Sequence, residues 1–426
     1  METFENVIGH ESVKAELIKY ADVIRNHEKY AALGVQIPSG IMLCGEPGVG
    51  KTLMAKAFCS EAGCRVFLIR KDKPDGEFVS HIKKTFDEAK DHTPSIVFLD
   101  DLDKFANEDA NHKNAEEYVS VQACIDDCKG MGVLTFATVN DVNCLPDSLL
   151  RKGRFDKSID VSAPGGKDAI RVIRYFLSRK QVEDDIDLDE LALVMEEETC
   201  AELKTIINEA AIYAGFKGKD KVDHDDIIKA FLRTRYDALE SSERRNPEIL
   251  RKIATHEAGH AVVHEVLEPN SVTLVSVCSR EYIDSGIVKA HRAEEYHQSC
   301  ELLENDVITK LGGKAATEVV WGEADMGCAK DVSQAFRMVR GMVDDRCTLG
   351  FGSFEEHSSS QYLLTNKDIV VETEMERYYQ KAKRIIAGYR DFLDAIVDAL
   401  LDHETITYRE MQKIREKFLG TEVAKK

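Results

Sequence analysis

The segment Gly45-Glu46-Pro47-Gly48-Val49-Gly50-Lys51-Thr52 restricts the fold more than any other part of this 426-residue sequence. It follows the apolar run Ile41–Cys44 and opens a helix-patterned stretch, Lys51–Ala62. In a G-x-x-x-x-G-K-[ST] loop set between a strand and a helix, the glycines let main-chain N–H groups close on a phosphate. The helix N-terminus adds partial positive charge. Lys51 is then placed to pair the β- and γ-phosphates of ATP, and Thr52 to hold Mg²⁺. Such a loop needs a sheet behind it. Arg65–Arg70, Ser95–Leu99 and Gly132–Thr138 also read as buried strands, with the helical segment Glu77–Lys90 between the first two. Strand–helix alternation implies an α/β unit with a parallel sheet covered by helices.

Two strand tips carry further candidates. The strand Ser95–Leu99 ends in Asp100 and Asp101. Asp100 suits the Mg²⁺ shell, and Asp101 is placed to orient or deprotonate an attacking water. Asp103 reads as a residue that solvates the strand end. Asn140 closes the strand Leu134–Val139 and is placed to touch a γ-phosphate, although asparagine after a strand commonly serves a turn.

A second chemistry lies past the middle of the chain. Asn246 followed by Pro247 and Glu248 is a helix start, with a capping side chain, proline in the first turn and an acid. The helix should run from Ile249 to about Leu267 and carry His256-Glu257-Ala258-Gly259-His260. Imidazoles four residues apart share one helix face and can ligate one Zn²⁺, with Glu257 beside the attacking water as general base. His260 and His264 form another pair at that spacing, but no glutamate follows the first of them. A third ligand is needed. The extended signature fails, because Val263 and Val266 stand at its positions. Glu281, in an apparent hairpin turn, and Asp331, on a helix, both remain open as the third ligand.

The remaining sequence is ordinary for globular protein, with 43% hydrophobic and 31% charged residues. The net charge of −20 argues against a nucleic-acid groove and a remodelling ATPase acting on one. Eleven scattered cysteines with no C-x-x-C pair fit free thiols in a reducing cytoplasm. Cys124 and Cys128 read as ordinary helix residues. No signal peptide opens the chain, and no apolar run nears the ~20 residues that span a bilayer, so no direct membrane insertion is expected.

These motifs, in this order, resemble the FtsH family of ATP-dependent zinc metalloproteases over nearly the whole chain. Phe4-Glu5-Asn6-Val7-Ile8-Gly9 resembles the entry to an AAA+ domain, which implies that Val7 to Gly9 line the adenine pocket. Asn140 matches the family's sensor asparagine. Leu149-Leu150-Arg151-Lys152-Gly153-Arg154-Phe155-Asp156 resembles its L-L-R-P-G-R-F-D run. That likeness places Arg151 and Arg154 at a subunit boundary, with Arg154 as an arginine finger acting on a neighbour's nucleotide. It implies a homo-hexameric ring working on protein substrates. Asn208-Glu209-Ala210-Ala211 belongs to the helical lid. Leu311-Gly312-Gly313-Lys314-Ala315-Ala316-Thr317-Glu318 resembles the L-G-G-R-x-A-E-E helix, and Asp331 falls on the family's third zinc ligand. The strand around Gly286-Ile287-Val288 resembles the edge strand that receives substrate by β-addition.

The resemblance implies an α/β AAA+ P-loop domain at 1–165, a helical lid at 166–237, a linker at 238–247 and a mainly α-helical zinc peptidase domain at 248–426. The sequence also departs from the family. No apolar run long enough to span a membrane precedes Gly45 in this sequence, so the membrane anchoring usual in the family is not expected. Asp101 replaces a glutamate, Lys157 an arginine and Thr317 a glutamate. The aromatic pore loop is replaced by Lys73-Pro74-Asp75-Gly76-Glu77-Phe78-Val79, where Phe78 is the only aromatic. The alternative these departures raise is an ATP-controlled chaperone or assembly scaffold with weak or no hydrolysis or proteolysis.

Overall fold

A computed structural model describes residues 2–71, 75–107, 115–238, 246–278, 286–291, 299–323, 326–346, 348 and 361–420. Its contacts divide the chain into two compact units. Unit 1 comprises Met1–Asp184 and Met195–Val222, and unit 2 comprises Asp185–Val194 and Asp223–Lys426. The division passes through the helical segment expected at 166–237. The polar stretch 239–245 of the expected linker lies outside the described residues.

Unit 1 runs α1 (Glu11–Arg25), α2 (His27–Ala31), β1 (Gly40–Cys44), α3 (Lys51–Ala62), β2 (Arg65–Ile69), α4 (Asp75–Lys90), β3 (Ser95–Leu99), α5 (Ala115–Asp127), β4 (Val133–Val139), α6 (Asp147–Leu150), β5 (Lys157–Asp160) and α7 (Gly166–Leu177). The next helices are α8 (Leu188–Val194), α9 (Cys200–Phe216) and α10 (His224–Tyr236); of these, α9 belongs to unit 1. The sheet order is β2-β3-β4-β1-β5, with every pair parallel.

Strands β1, β3 and β4 are buried along their whole length. Such strands must be apolar on both faces, which is why they read in sequence as unbroken hydrophobic runs. On one face Phe58 stacks on Phe136 at 4.5 Å between ring centroids. On the other, Phe78 meets Phe105 edge-on at 5.1 Å. Phe78 is fully buried, so it is a core residue and cannot grip a substrate in a pore. Lys73 and Pro74 lie outside the described residues.

Unit 2 contains α8 and α10, then α11 (Pro247–Leu267), β6 (Val272–Ser276), β7 (Ile287–Ala290), α12 (Cys300–Lys310), α13 (Gly312–Trp321), α14 (Ala329–Asp344), α15 (Gln361–Gly388), α16 (Arg390–His403), β8 (Thr405–Thr407) and α17 (Tyr408–Leu419). The start of α11 is capped as its sequence demands, with the Asn246 side chain accepting from Glu248 N–H at 3.0 Å. A small antiparallel sheet, β7-β6-β8, leaves β7 at its edge.

The packing of α11 on α13 decides the geometry of this unit. At Gly259 and Gly312 the two helices meet backbone to backbone. A Cβ on Gly259 would lie 2.5 Å from the Gly312 carbonyl oxygen, and a Cβ on Gly312 would lie 2.6 Å from that of Gly259. Glycine inside a helix costs about 1 kcal/mol relative to alanine, so at Gly259, in the middle of α11, helix propensity is given up for close approach.

The ten described cysteines are all free. Burial pushes the Cys59 thiol up to about 12 and Cys128 up to about 11. Cys124 and Cys128 pack in the core beneath α5.

Gly312→Ala is expected to destabilise unit 2 by about 1–3 kcal/mol through overpacking. Differential scanning calorimetry should show a lower melting temperature for the transition that contains α11, with the unit 1 transition unmoved.

Candidate nucleotide and zinc sites

In unit 1 the phosphate loop bends through Gly48 (φ 90°) and Gly50 (φ 105°), backbone angles that side chains rarely tolerate. A Cβ on Gly48 would lie 2.9 Å from both Thr199 Oγ1 and Ala201 Cβ, and Ala201 N–H donates to the Gly48 carbonyl at 3.1 Å. The start of α9 therefore closes one side of the loop, a contact that no motif announced. Thr199 holds that helix end in a capping box with Glu202.

Val49 is buried in one cluster with Val7, and Gly9 (φ 76°) turns the chain against Asp168 at the start of α7. Pro47 sits within the same loop, after Gly45. The Lys51 ammonium donates to the carbonyls of Gly45 (2.6 Å) and Glu46 (2.8 Å). Burial pulls its pKa below the usual lysine range, against the opposing pull of Asp101 and Asp103.

Parallel pairing brings the tips of β3 and β4 to the loop. Asp100 Oδ1 accepts from Thr52 Oγ1 and Thr138 Oγ1, both at 3.0 Å. Thr52 and Asp100 together present hard oxygen ligands, the donor type that suits Mg²⁺. Asp101 adopts a left-handed backbone (φ 56°) and pairs with Lys104 at 2.6 Å. Burial tends to raise the Asp101 carboxyl, but its bond to Lys104 outweighs this and leaves it below the usual range.

Asp103 does more than solvate a strand end. It accepts from Asn140 N–H at 3.1 Å and from Asn140 Nδ2 at 3.3 Å, and so orients that side chain. Arg70, which no motif singled out, pairs with Asp100 Oδ2 at 2.7 Å.

Arg154 is engaged within its own chain. Its guanidinium forks onto Asp126 (2.8 and 3.3 Å) and also donates to the Ser148 carbonyl. That fork is the first cause holding the Asp126 carboxyl down at about 2. Arg151 is exposed. Lys157 pairs with Glu16 at 2.7 Å.

In unit 2 the HEAGH residues occupy the buried middle of α11. His256 Nε2 and His260 Nε2 approach to 3.1 Å, and Asp331 Oδ2, from α14, lies 3.3 and 3.5 Å from them. Tetrahedral zinc with bonds of about 2.0–2.1 Å sets its ligand atoms about 3.3 Å apart, so this donor set fits zinc. Among the described residues these three form the group able to hold a metal ion. His260 Nδ1 lies 2.7 Å from the Thr309 carbonyl. An N–H there fixes the tautomer and leaves the Nε2 lone pair directed at the metal position.

Asp331 is pushed up by burial, but hydrogen bonds from His256 and His260 outweigh this and hold it well below the usual carboxylate range. His264 instead bonds Ser271 at 2.7 Å, away from the cluster. Glu281 lies outside the described residues.

Two glycines shape the space around these ligands. A Cβ on Gly313 would fall 2.5 Å from His256 Nε2 and 2.6 Å from His260 Nε2, where the metal position must stay open. Gly286 N–H donates to Glu257 Oε1 at 2.9 Å, and a Cβ there would lie 2.4 Å from Glu257 Cγ. The Gly312-Gly313 doublet inside a helix was the one sequence signal for the first of these. Gly286 gave none.

Comparison with known proteins agrees with both halves. Residues 41–163 match the model of the ATPase family associated with various cellular activities (AAA), and residues 244–414 match that of peptidase family M41. A Thermotoga maritima protein called ATP-dependent zinc metalloprotease FtsH is 32% identical over 97% of this chain and 72% of its own length. A Caldicellulosiruptor bescii protein of the same name is 29% identical over 97% of this chain and 72% of its own. One from Phytoplasma mali, ATP-dependent zinc metalloprotease FtsH 2, is 30% identical over 97% and 62% respectively.

Gly313→Ala is expected to fold yet to lose zinc. Metal analysis after dialysis should fall from about one zinc per chain to under a tenth, while the far-ultraviolet circular dichroism matches that of wild type.

Proposed function

The chain belongs to the FtsH family of ATP-dependent zinc metalloproteases, and from that premise we propose that it works as a cytoplasmic homo-hexameric ring in which an AAA+ domain and lid at 1–237 feed a zinc peptidase domain at 248–426. It is an enzyme that uses ATP with Mg²⁺ and zinc to degrade protein. No described helix is long and apolar enough to cross a membrane. The observation that carries the peptidase reading is the convergence of His256, His260 and Asp331 within ligating distance beside Glu257.

His256, His260 and Asp331 would hold a zinc ion, which when bound would supply Lewis-acid polarisation of the scissile carbonyl. Glu257, steadied by Gly286 N–H, takes a proton from the attacking water and returns it to the leaving amine. The edge strand β7 follows Gly286 directly. An extended substrate paired to that edge would be held by its main chain and delivered beside Glu257, with little regard for its side chains.

At the nucleotide site, Lys51 would exchange its two carbonyl partners for β- and γ-phosphate oxygens, Thr52 and Asp100 would hold Mg²⁺, and Asn140 and Asp101 would position water. Asp101 is one methylene shorter than the family's glutamate and is tied to Lys104, so turnover should be slow. Arg151, already exposed, is the ready candidate for reaching a neighbour's nucleotide. Arg154 must first release Asp126 to do so.

Casein degradation tests this reading. Wild type should cleave casein with ATP and Mg²⁺, and chelation of zinc should abolish cleavage. Glu257→Gln should reduce cleavage at least a thousandfold while ATP hydrolysis continues. ATP-dependent ring formation with no cleavage by wild type would sink the proteolytic reading in favour of a scaffold. Lys51→Ala should abolish nucleotide binding and cleavage together, whereas Asp101→Asn should stop hydrolysis and keep binding.

A further inference from the structure

The acids at the tip of β3 are each already paired with a donor from the same chain. Asp101 pairs with Lys104 at 2.6 Å, Asp103 accepts from Asn140 at 3.1 and 3.3 Å, and Asp100 pairs with Arg70 at 2.7 Å. The Arg70 pair has a consequence for metal binding. Main-chain register brings it about: Ile69 lies opposite Leu99 across β2 and β3, and Asp100 N–H donates to the Ile69 carbonyl at 3.0 Å. The next residue of β2's chain, Arg70, is thereby set beside the next residue of β3's chain, Asp100.

The two oxygens of Asp100 are used differently. Oδ1 is held by the hydroxyls of Thr52 and Thr138. Oδ2 carries the Arg70 guanidinium. The Asp100 side chain is only 4% exposed, whereas that of Arg70 is 59% exposed. The carboxylate is therefore fixed and its cation is able to leave. A buried carboxylate held against a guanidinium is largely neutralised, and a second cation drawn to the same oxygen meets charge repulsion as well as occupied lone pairs. Mg²⁺ also demands strict octahedral geometry and does not share an oxygen loosely.

We propose that Arg70 competes with Mg²⁺ for Asp100 and so sets the magnesium requirement of the ATP site. Arg70 must swing off Oδ2 before the metal is engaged. While it stays in place, nucleotide is held chiefly by the loop N–H groups and Lys51, with the metal position blocked. The site then tightens on nucleotide only at magnesium levels that displace the guanidinium. This rests on the reading of Gly45–Thr52 as an ATP site.

The test is the magnesium dependence of nucleotide binding, read by fluorescence of a methylanthraniloyl-ADP probe across a series of free Mg²⁺ concentrations. Wild type, Arg70→Ala and Arg70→Lys are compared. The free Mg²⁺ giving half of the metal-dependent tightening should fall about tenfold in Arg70→Ala. Arg70→Lys, which keeps the charge but replaces the guanidinium by a more strongly hydrated ammonium, should lie between the two. Without nucleotide or Mg²⁺, Arg70→Ala should melt below wild type, because the buried Asp100 carboxylate loses its partner, and added Mg²⁺ should recover the difference. Half-saturating Mg²⁺ that agrees within twofold between wild type and Arg70→Ala overturns the competition. If wild type does not bind the probe at any Mg²⁺ concentration, the nucleotide reading itself has failed, and the competition falls with it.

Discussion

Helices α11 and α13 touch main chain to main chain because neither carries a side chain at Gly259 or Gly312. That contact fixes how far His256 and His260 stand from the neighbouring helix, and Gly313 then leaves the space into which both Nε2 atoms point. The third ligand arrives on α14 and the tautomer-fixing carbonyl from Thr309 at the end of α12. Each is packed against the same core, so the ligand triangle is a product of helix spacing rather than of local chain flexibility.

The nucleotide site follows a different logic. Its parts come from the carboxyl ends of parallel strands, where an α/β sheet naturally gathers loops. Strand register alone sets Asp100, Thr138 and Asn140 side by side, and it brings Arg70 with them. Regular main-chain pairing thus delivers both the acids a metal needs and the cations that compete for them.

Much of this was legible in the sequence. The strand β3 and the helix α3 fall on the expected residues, because buried parallel strands are unbroken apolar runs and the phosphate loop fixes the next helix start. The zinc helix was legible because ligands four residues apart need only local geometry. Spacing alone left Asp331 and Glu281 both open, since Asp331 lies 71 positions beyond His260 and no local spacing reports on tertiary packing; only the family resemblance named Asp331. Phe78 was the only aromatic where the family carries its pore loop, and a lone aromatic near a loop carries no sign of which way it faces; it faces the core. Asp103 read as strand-end solvation, and its bond to Asn140 depends on a strand pairing that period and composition do not encode. Helices α8 and α10 read as part of one helical segment with α9 yet group with unit 2, because an apolar face announces burial without naming the partner.

The open space at Gly313 also bears on how such a chain changes over generations. Helix propensity favours alanine over glycine, by up to about 1 kcal/mol in a helix interior and by less in a first turn such as that of α13, so alanine would otherwise be the sturdier choice there. The imidazoles of His256 and His260 stand where the new methyl would go. In a lineage that had abandoned peptide hydrolysis and lost either histidine, the glycine would be the next residue released, and its replacement would be rewarded with a sturdier helix. Gly312 answers to the packing of two helices and Gly313 to the metal position, so two adjacent glycines serve two separate constraints, and the second serves a metal it never touches.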